Sequence, residues 1–219
     1  TDIINAFKDE YRIVVPILPL YKLPLLDTNV KVLAKYTEDF ISYKNYNDII
    51  LLGNSLGGHV ALIYTLNNIK KVKGLVLTGS SGLYENAFGG SFPRREDYNY
   101  IKKKTEVTFY DPAMATKELV DEVFEIVNNK LKLARVLSLA KSAIRHNMAS
   151  ELPKFHIPVS LIWGRNDIVT PPEVAEEFHS LLPNSTLYWI DKCGHAPMME
   201  RPEEFNAILR KWLNEKIFI

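Results

Sequence analysis

The chain has 219 residues, 47% of them hydrophobic and 24% charged, which is the length and composition of a single globular domain. Lys and Arg number 27 against 26 for Asp and Glu, so the basic excess that supports nucleic-acid binding is missing. The single cysteine, Cys193, excludes a disulfide within the chain, and no apolar stretch approaches the roughly 20 residues that span a bilayer. We therefore expect neither a nucleic-acid partner nor a membrane span.

Short apolar runs have the composition of strands that are buried on both faces of a parallel sheet. They cover residues 11–15, 49–52, 75–78, 159–163 and 187–190. Amphipathic helices are predicted over residues 30–43, 56–66, 171–182 and 202–213. Alternation of strands and helices with short connections predicts an α/β fold, in which helices flank a mostly parallel sheet.

One long segment interrupts this alternation, because residues 80–158 contain no good strand and are too many for a simple crossover. Its later part, 115–148, has a helical pattern throughout. The sequence therefore predicts an inserted helical cap. We divide the chain into a first core part at 1–82, a cap with its return helix at 83–150, and a second core part at 151–219.

A candidate nucleophile, Ser55, lies in the passage GNSLG between a predicted strand and a predicted helix. A sharp strand-to-helix turn pushes a serine out of the sheet and strains its backbone. Gly53 and Gly57 are expected to leave room for this turn, and Gly58 to let the helix approach the sheet. The alternative is a serine that only caps the helix.

A serine nucleophile needs a base and an orienting acid. His195 follows the last predicted strand, at the end of the sheet where the catalytic groups of open α/β folds gather. His59 is a weaker candidate for the base, one turn into the helix after Ser55. Surface or packing positions are expected for the remaining histidines, which are His146, His156 and His179.

The acid should also follow a strand, and Asp167 comes four residues after the run 159–163. Its alternative role is to cap the loop or the next helix, a common use of aspartate. Asp191 and Glu200 are rivals, but both are so near His195 in sequence that we expect them to make local hydrogen bonds. Cys193 lies beside this loop, either at the rim of a pocket or, as we expect of a lone cysteine, buried and inert.

The order Ser55, Asp167, His195 on strand–turn segments resembles the α/β-hydrolase superfamily. The passages WGRND and CGHAPMMERPEEF resemble its single-domain, capped members, which cleave small esters or carbon–carbon bonds in ring-opened dienones. The resemblance covers residues 11–213. It implies a hydrolase that needs no cofactor and no metal.

The resemblance also implies a role for each residue. Ser55 would attack a carbonyl carbon, His195 would carry the proton to the leaving group, and Asp167 would fix the imidazole tautomer. The backbone N–H of Leu56 would be one oxyanion donor, and the second donor is expected upstream of Thr1. A serine nucleophile disfavours the dehalogenase and epoxide-hydrolase branches, which use a carboxylate.

The beginning of the chain departs from the superfamily pattern, since Thr1 follows no initiator Met and no signal-like apolar segment. In that superfamily a further strand, followed by the oxyanion loop, lies between the strands predicted at 11–15 and 49–52. We therefore expect missing N-terminal strands in roughly 30–45 residues upstream of Thr1. A cytoplasmic location is the default expectation.

Three functions remain open. The first is a cofactor-free serine hydrolase that acts on a small carboxylic ester or related acyl compound. The second is a carbon–carbon bond hydrolase of the ring-cleavage type, and the third is a non-catalytic receptor or scaffold that kept the fold. The expected partner is a small-molecule acyl substrate, and the expected assembly is a monomer or a homodimer.

Overall fold

The computed structural model describes residues 2–85 and 93–217. Its strands are β1 (Ile49–Asn54), β2 (Val72–Thr78), β3 (Val159–Gly164) and β4 (Ser185–Ile190). Its helices are α1 (Asp2–Phe7), α2 (Val30–Tyr43), α3 (Leu56–Asn67), α4 (Tyr98–Glu106), α5 (Lys117–Asn128), α6 (Lys130–Arg145), α7 (Pro172–Leu181), α8 (Pro197–Glu200) and α9 (Pro202–Lys216).

The strands form one parallel sheet in the order β1-β2-β3-β4, so four of the predicted strands and the α/β fold class are confirmed. The central strands β2 and β3 are almost wholly buried, as their continuous apolar sequences predict. The outer strands are less covered, and Leu52 of β1 is 39% exposed. All strands run the same way, so their carboxyl ends share one edge of the sheet.

The strand predicted at 11–15 is wrong, because this segment has no ladder partner in the described ranges 2–85 and 93–217. A strand needs a neighbour to pair its backbone N–H and C=O groups, and β1 pairs only with β2 there. The apolar side chains of 11–15 have different environments outside the sheet. Ile13 packs on the cluster beneath α9, whereas Val15 is 68% exposed.

Helices cover both faces of the sheet, and alternate residues of the strands point to them. On one face, Val76 and Ile162 pack against α1 and α9 through Phe7, Phe205 and Trp212. On the other face, β2 and β3 pack against α2, α3 and α7 in the largest apolar cluster. Because both faces of the sheet are covered, the sequences of the central strands are almost wholly apolar.

The long segment between β2 and β3 carries α4, α5 and α6. The helical stretch predicted at 115–148 is divided in two at Asn129, whose side chain accepts hydrogen bonds from Leu131 N and Lys132 N and so begins α6. Part of the predicted cap, 86–92, lies outside the described residues. Among the helices of the described ranges, none has the length and apolarity required to cross a bilayer.

Candidate active site

Ser55 lies on the sharp turn between β1 and α3, with φ 52° and ψ −122°. Few residues other than glycine adopt a positive φ, so this backbone is strained in the way the sequence predicts. Two backbone hydrogen bonds hold the turn. Ser55 N donates to Thr78 O at 3.1 Å, and Ser81 N donates to Ser55 O at 3.2 Å. The serine is thereby fixed at the carboxyl edge of the sheet, beside the end of β2.

The glycines around Ser55 do not all have the predicted task. A Cβ at Gly53 would lie 2.5 Å from the carbonyl carbon of Gly57, and one at Gly58 would lie 2.8 Å from Ser80 Cβ, so crowding is confirmed at both. The prediction for Gly57 is wrong. Its Cβ would face open space: apart from its chain neighbours and the backbone of its own helix, no heavy atom of the described residues lies within 4 Å.

This contrast predicts opposite effects of two alanine substitutions on stability. Gly53→Ala should lower the free energy of unfolding by about 1–3 kcal/mol, because the new methyl meets backbone that cannot move aside. Gly57→Ala should be neutral or stabilising by up to about 1 kcal/mol, because alanine favours the helical turn that glycine disfavours. Urea unfolding of the two variants measures the difference, and equal destabilisation by both would contradict the account.

His195 and Asp167 lie together on the loops that follow β4 and β3. His195 Nδ1 is 2.9 Å from Asp167 Oδ2, and the two residues are 7% and 2% exposed. Asp167 Oδ1 also accepts from Val169 N at 2.8 Å and Thr170 N at 3.0 Å, and the Thr170 hydroxyl donates to Oδ2 at 2.7 Å. The two backbone N–H groups and the Thr170 hydroxyl all donate to the carboxylate, which is therefore held in one orientation beside the imidazole.

The loop that carries His195 is also tied to the other strands. The side-chain amide of Asn54 donates to His195 O and to Thr78 O, each at 3.0 Å. His195 N donates to Thr108 O at 3.0 Å, in the segment inserted between β2 and β3. Because Asn54 immediately precedes Ser55, its hydrogen bonds join the serine turn to the histidine loop. Sequence reasoning missed Asn54 and Thr108, whose roles depend on contacts across the fold.

The rival acids have other partners. Asp191 forms an exposed ion pair with Arg165 at 2.8 Å. Glu200 accepts from the backbone N–H groups of Gly194 and Tyr110, each at 2.7 Å. Neither carboxylate is hydrogen bonded to the His195 ring in the part of the chain that is described. The geometry therefore favours Asp167 as the partner of His195.

Cys193 is fully buried beside the histidine loop. Burial raises the pKa of its thiol well above the ordinary value, and the nearby Glu200 carboxylate acts in the same direction. A thiol that stays protonated is a poor nucleophile. The expected burial of this cysteine is confirmed, and its lack of reactivity stays a prediction that the raised pKa supports.

His59 and His146 form a second, partly buried side-chain contact. His59 Nε2 is 3.0 Å from His146 Nδ1, and His59 is completely buried. The pair joins α3 to the end of α6, which sequence reasoning could not find because the residues are far apart in the chain. His179 lies near the opposite edge of the sheet, since its Nδ1 is 2.8 Å from Ser185 Oγ at the start of β4.

This pair predicts a loss of stability in mild acid. Burial, and secondarily the neighbouring His146, lowers the pKa of His59 from 6.5 to about 4, and burial with Lys31 nearby lowers the pKa of His146, which Glu151 partly opposes. Between pH 6.5 and about 4 the unfolded chain therefore binds a proton at His59 that the folded chain excludes. The contribution of His59 to the free energy of unfolding should therefore be fully present above pH 6.5. On acidification to pH 4 the free energy of unfolding should fall by about 3 kcal/mol.

Urea unfolding between pH 7 and 4 tests this, with His59→Gln as the comparison because glutamine keeps a hydrogen-bonding group without the titration. The variant should show a shallower fall in the free energy of unfolding than the parent. Parallel pH profiles would contradict a role for His59.

The family model described as the alpha/beta hydrolase family matches residues 4–208, so the chain belongs to this family. A solved structure of an alpha/beta hydrolase enzyme from the metagenome of sediments of the Mar Chica lagoon, Morocco, is 47% identical to it. The superposition has a TM-score of 0.79 and covers 98% of this chain and 83% of that chain.

Two curated relatives carry more specific names. The pimeloyl-(acyl-carrier protein) methyl ester esterase of Nitrosomonas europaea is 31% identical, over 70% of this chain and 66% of its own length. The 2-hydroxy-6-oxononadienedioate/2-hydroxy-6-oxononatrienedioate hydrolase 2 of Pseudomonas putida is 27% identical, over 74% of this chain and 62% of its own length. The chain thus spans less than two thirds of the length of either relative.

Proposed function

We propose that this hydrolase is a serine hydrolase that cleaves a small carboxylic ester or related acyl compound. Ser55 is the nucleophile, His195 the general base and Asp167 the orienting acid. The observation that carries the proposal is the buried hydrogen bond of 2.9 Å between His195 Nδ1 and Asp167 Oδ2. The Asn54 amide links the loop that bears this pair to the strained turn that bears Ser55.

The chemistry follows from the direction of these hydrogen bonds. Asp167 is held as an acceptor, so His195 carries its proton on Nδ1 and leaves Nε2 able to take the proton of the Ser55 hydroxyl. The serine oxygen then bonds to the carbonyl carbon, and the imidazolium passes the proton to the leaving alkoxide. Water repeats the sequence on the acyl-enzyme, which releases the acid and restores Ser55.

Leu56 is the proposed donor to the oxyanion. It is the first residue of α3, and backbone N–H groups in the first turn of a helix have no acceptor within the helix. Its N–H follows the nucleophile directly, where a donor can reach the oxygen that becomes negative during attack. One such donor stabilises the transition state by about 3 kcal/mol.

The segment inserted between β2 and β3 is the proposed selector of substrate. Its contact with the site supports this: Thr108 O accepts from His195 N, and Phe109 packs in one apolar cluster with Ala196. Side chains so close to the base can border the acyl or alcohol group of a bound ester. Apolar walls with a few polar groups are typical of small-molecule sites.

A second candidate is hydrolysis of a carbon–carbon bond in a ring-opened dienone acid, which the name of the Pseudomonas putida relative favours. The ester, which the esterase relative favours, requires only the groups named above. Steady-state kinetics with p-nitrophenyl acetate and with a 2-hydroxy-6-oxo-dienoate separate the two.

We expect the larger kcat/KM for the ester. A larger value for the dienone would establish the second candidate instead. Turnover of neither substrate by a folded protein would favour the receptor or scaffold.

A further inference from the structure

The side chain of Glu200 occupies a junction between two chain segments. Glu200 ends α8, and its Oε1 accepts from Gly194 N at 2.7 Å. Its Oε2 accepts from Tyr110 N at 2.7 Å and, at 3.5 Å, lies within reach of Asp111 N. One carboxylate thus binds the histidine loop with one oxygen and the inserted segment with the other. Hydrogen bonds from N–H groups to an ionised acceptor are roughly twice as strong as neutral ones.

The two segments also touch directly at this point. His195 N donates to Thr108 O at 3.0 Å. A Cβ at Gly194 would lie 2.7 Å from Thr108 O and 2.9 Å from Tyr110 N, so the close approach requires glycine there. The backbone just before His195 therefore packs directly against the backbone of 108–110, and the Glu200 carboxylate forms hydrogen bonds to both segments beside this contact.

On its other side the histidine loop rests on the loop that bears Asp167. Asn166 N donates to Cys193 O at 2.9 Å. The imidazole ring is oriented by Asp167, whereas the backbone beneath it is held by the acid loop, by the Asn54 amide that donates to His195 O, and by the inserted segment. With Glu200 removed, the bond from His195 N to Thr108 O is the remaining backbone hydrogen bond between 193–195 and the inserted segment in the described structure.

We infer that Glu200 is a positioning residue of the hydrolase: it fixes the His195 backbone, and with it the imidazole, against the segment 108–111. The inference rests on the proposed function, since it assigns His195 the role of base. Glutamine at this position offers one acceptor oxygen to two N–H groups, so either Gly194 N or Tyr110 N would face an amide N–H₂. A shift of about 1 Å at a catalytic group can cost on the order of a hundredfold in rate.

The test compares Glu200→Gln and Glu200→Ala with Glu203→Gln, an exposed glutamate in the first turn of α9. Reactive sites are counted by labelling with a fluorophosphonate to completion, so that misfolded protein is excluded from kcat. For p-nitrophenyl acetate we expect kcat per labelled site to fall by roughly ten- to a hundredfold in Glu200→Gln, with KM little changed. The kcat of Glu200→Ala should fall at least as far, and the kcat of Glu203→Gln should equal that of the parent protein.

The rate of Ser55 phosphonylation is the second readout, because this reaction also needs His195 to accept the serine proton. It should fall in parallel with kcat. An unchanged kcat per labelled site in both Glu200 variants, even with a lower melting temperature, would show that Glu200 only supports the fold. A raised KM with unchanged kcat would place its effect on substrate binding and equally overturn the inference. Failure of the proposed function would be seen separately, as no turnover by the parent protein.

Discussion

Replacement of Ser55 by alanine should abolish ester hydrolysis, with a fall in kcat of several orders of magnitude and up to about 10⁶-fold. In the proposed mechanism no acyl-enzyme forms without this hydroxyl, and His195 and Asp167 then have no nucleophile to activate. The effects of substituting residues that act as one catalytic unit are not additive. Loss of the nucleophile alone therefore lowers kcat nearly as much as loss of all three groups. The measurement is kcat for p-nitrophenyl acetate at saturating substrate.

Two controls accompany this variant. Ser42→Ala, at an exposed position of α2, should retain the parent rate. The thermal unfolding midpoint of Ser55→Ala should stay near that of the parent, because Ser55 is only partly buried and alanine is close to it in size. A Ser55→Ala variant with more than about a tenth of the parent rate would remove Ser55 from the mechanism.

Asp167→Asn should lower kcat on the order of 10⁴-fold, as the matching change does in serine proteases. The structure supplies the reason. The asparagine oxygen must face Val169 N and Thr170 N, since both are donors to Oδ1, and its N–H₂ then points at His195 Nδ1. That ring nitrogen becomes the acceptor, so the proton moves to Nε2, which can no longer accept the serine proton.

Asp191→Asn is the matched control for the acid. It breaks an exposed ion pair with Arg165, a kind of contact that contributes about 0–1 kcal/mol, so kcat should change by less than about twofold. A mild Asp167→Asn together with a severe Asp191→Asn would reverse the assignment of the acid.

The sequence predicts most of the fold because buried strands and helices have a recognisable pattern of apolar residues along the chain. β2 and β3 are covered on both faces, so their sequences are almost wholly apolar. The helix α2 has the boundaries that its pattern predicts. The segment 11–15 has the same local composition, yet strand formation depends on a partner that composition does not reveal. The apolar character of this segment therefore agrees with the partial burial of Ile13 but not with the exposure of Val15.

The candidate site is predictable where chemistry requires a particular residue in a particular local turn. Two residues are such cases: Ser55, which lies between a strand and a helix, and Asp167, which follows a strand. The structure places Asp167 beside His195. The supporting contacts are not predictable in this way. Glu200 and Tyr110 meet across ninety positions of the chain, as do His59 and His146 across 87, and only the folded arrangement brings each pair together.

Whether Ser55 is the nucleophile can be measured by intact-protein and peptide mass spectrometry after reaction with a fluorophosphonate, with p-nitrophenyl acetate hydrolysis followed in the same samples. We expect one adduct per chain, on Ser55, and a loss of hydrolysis in proportion to the labelled fraction. An adduct on a different residue, or full hydrolysis by protein completely labelled at Ser55, would contradict this role of Ser55.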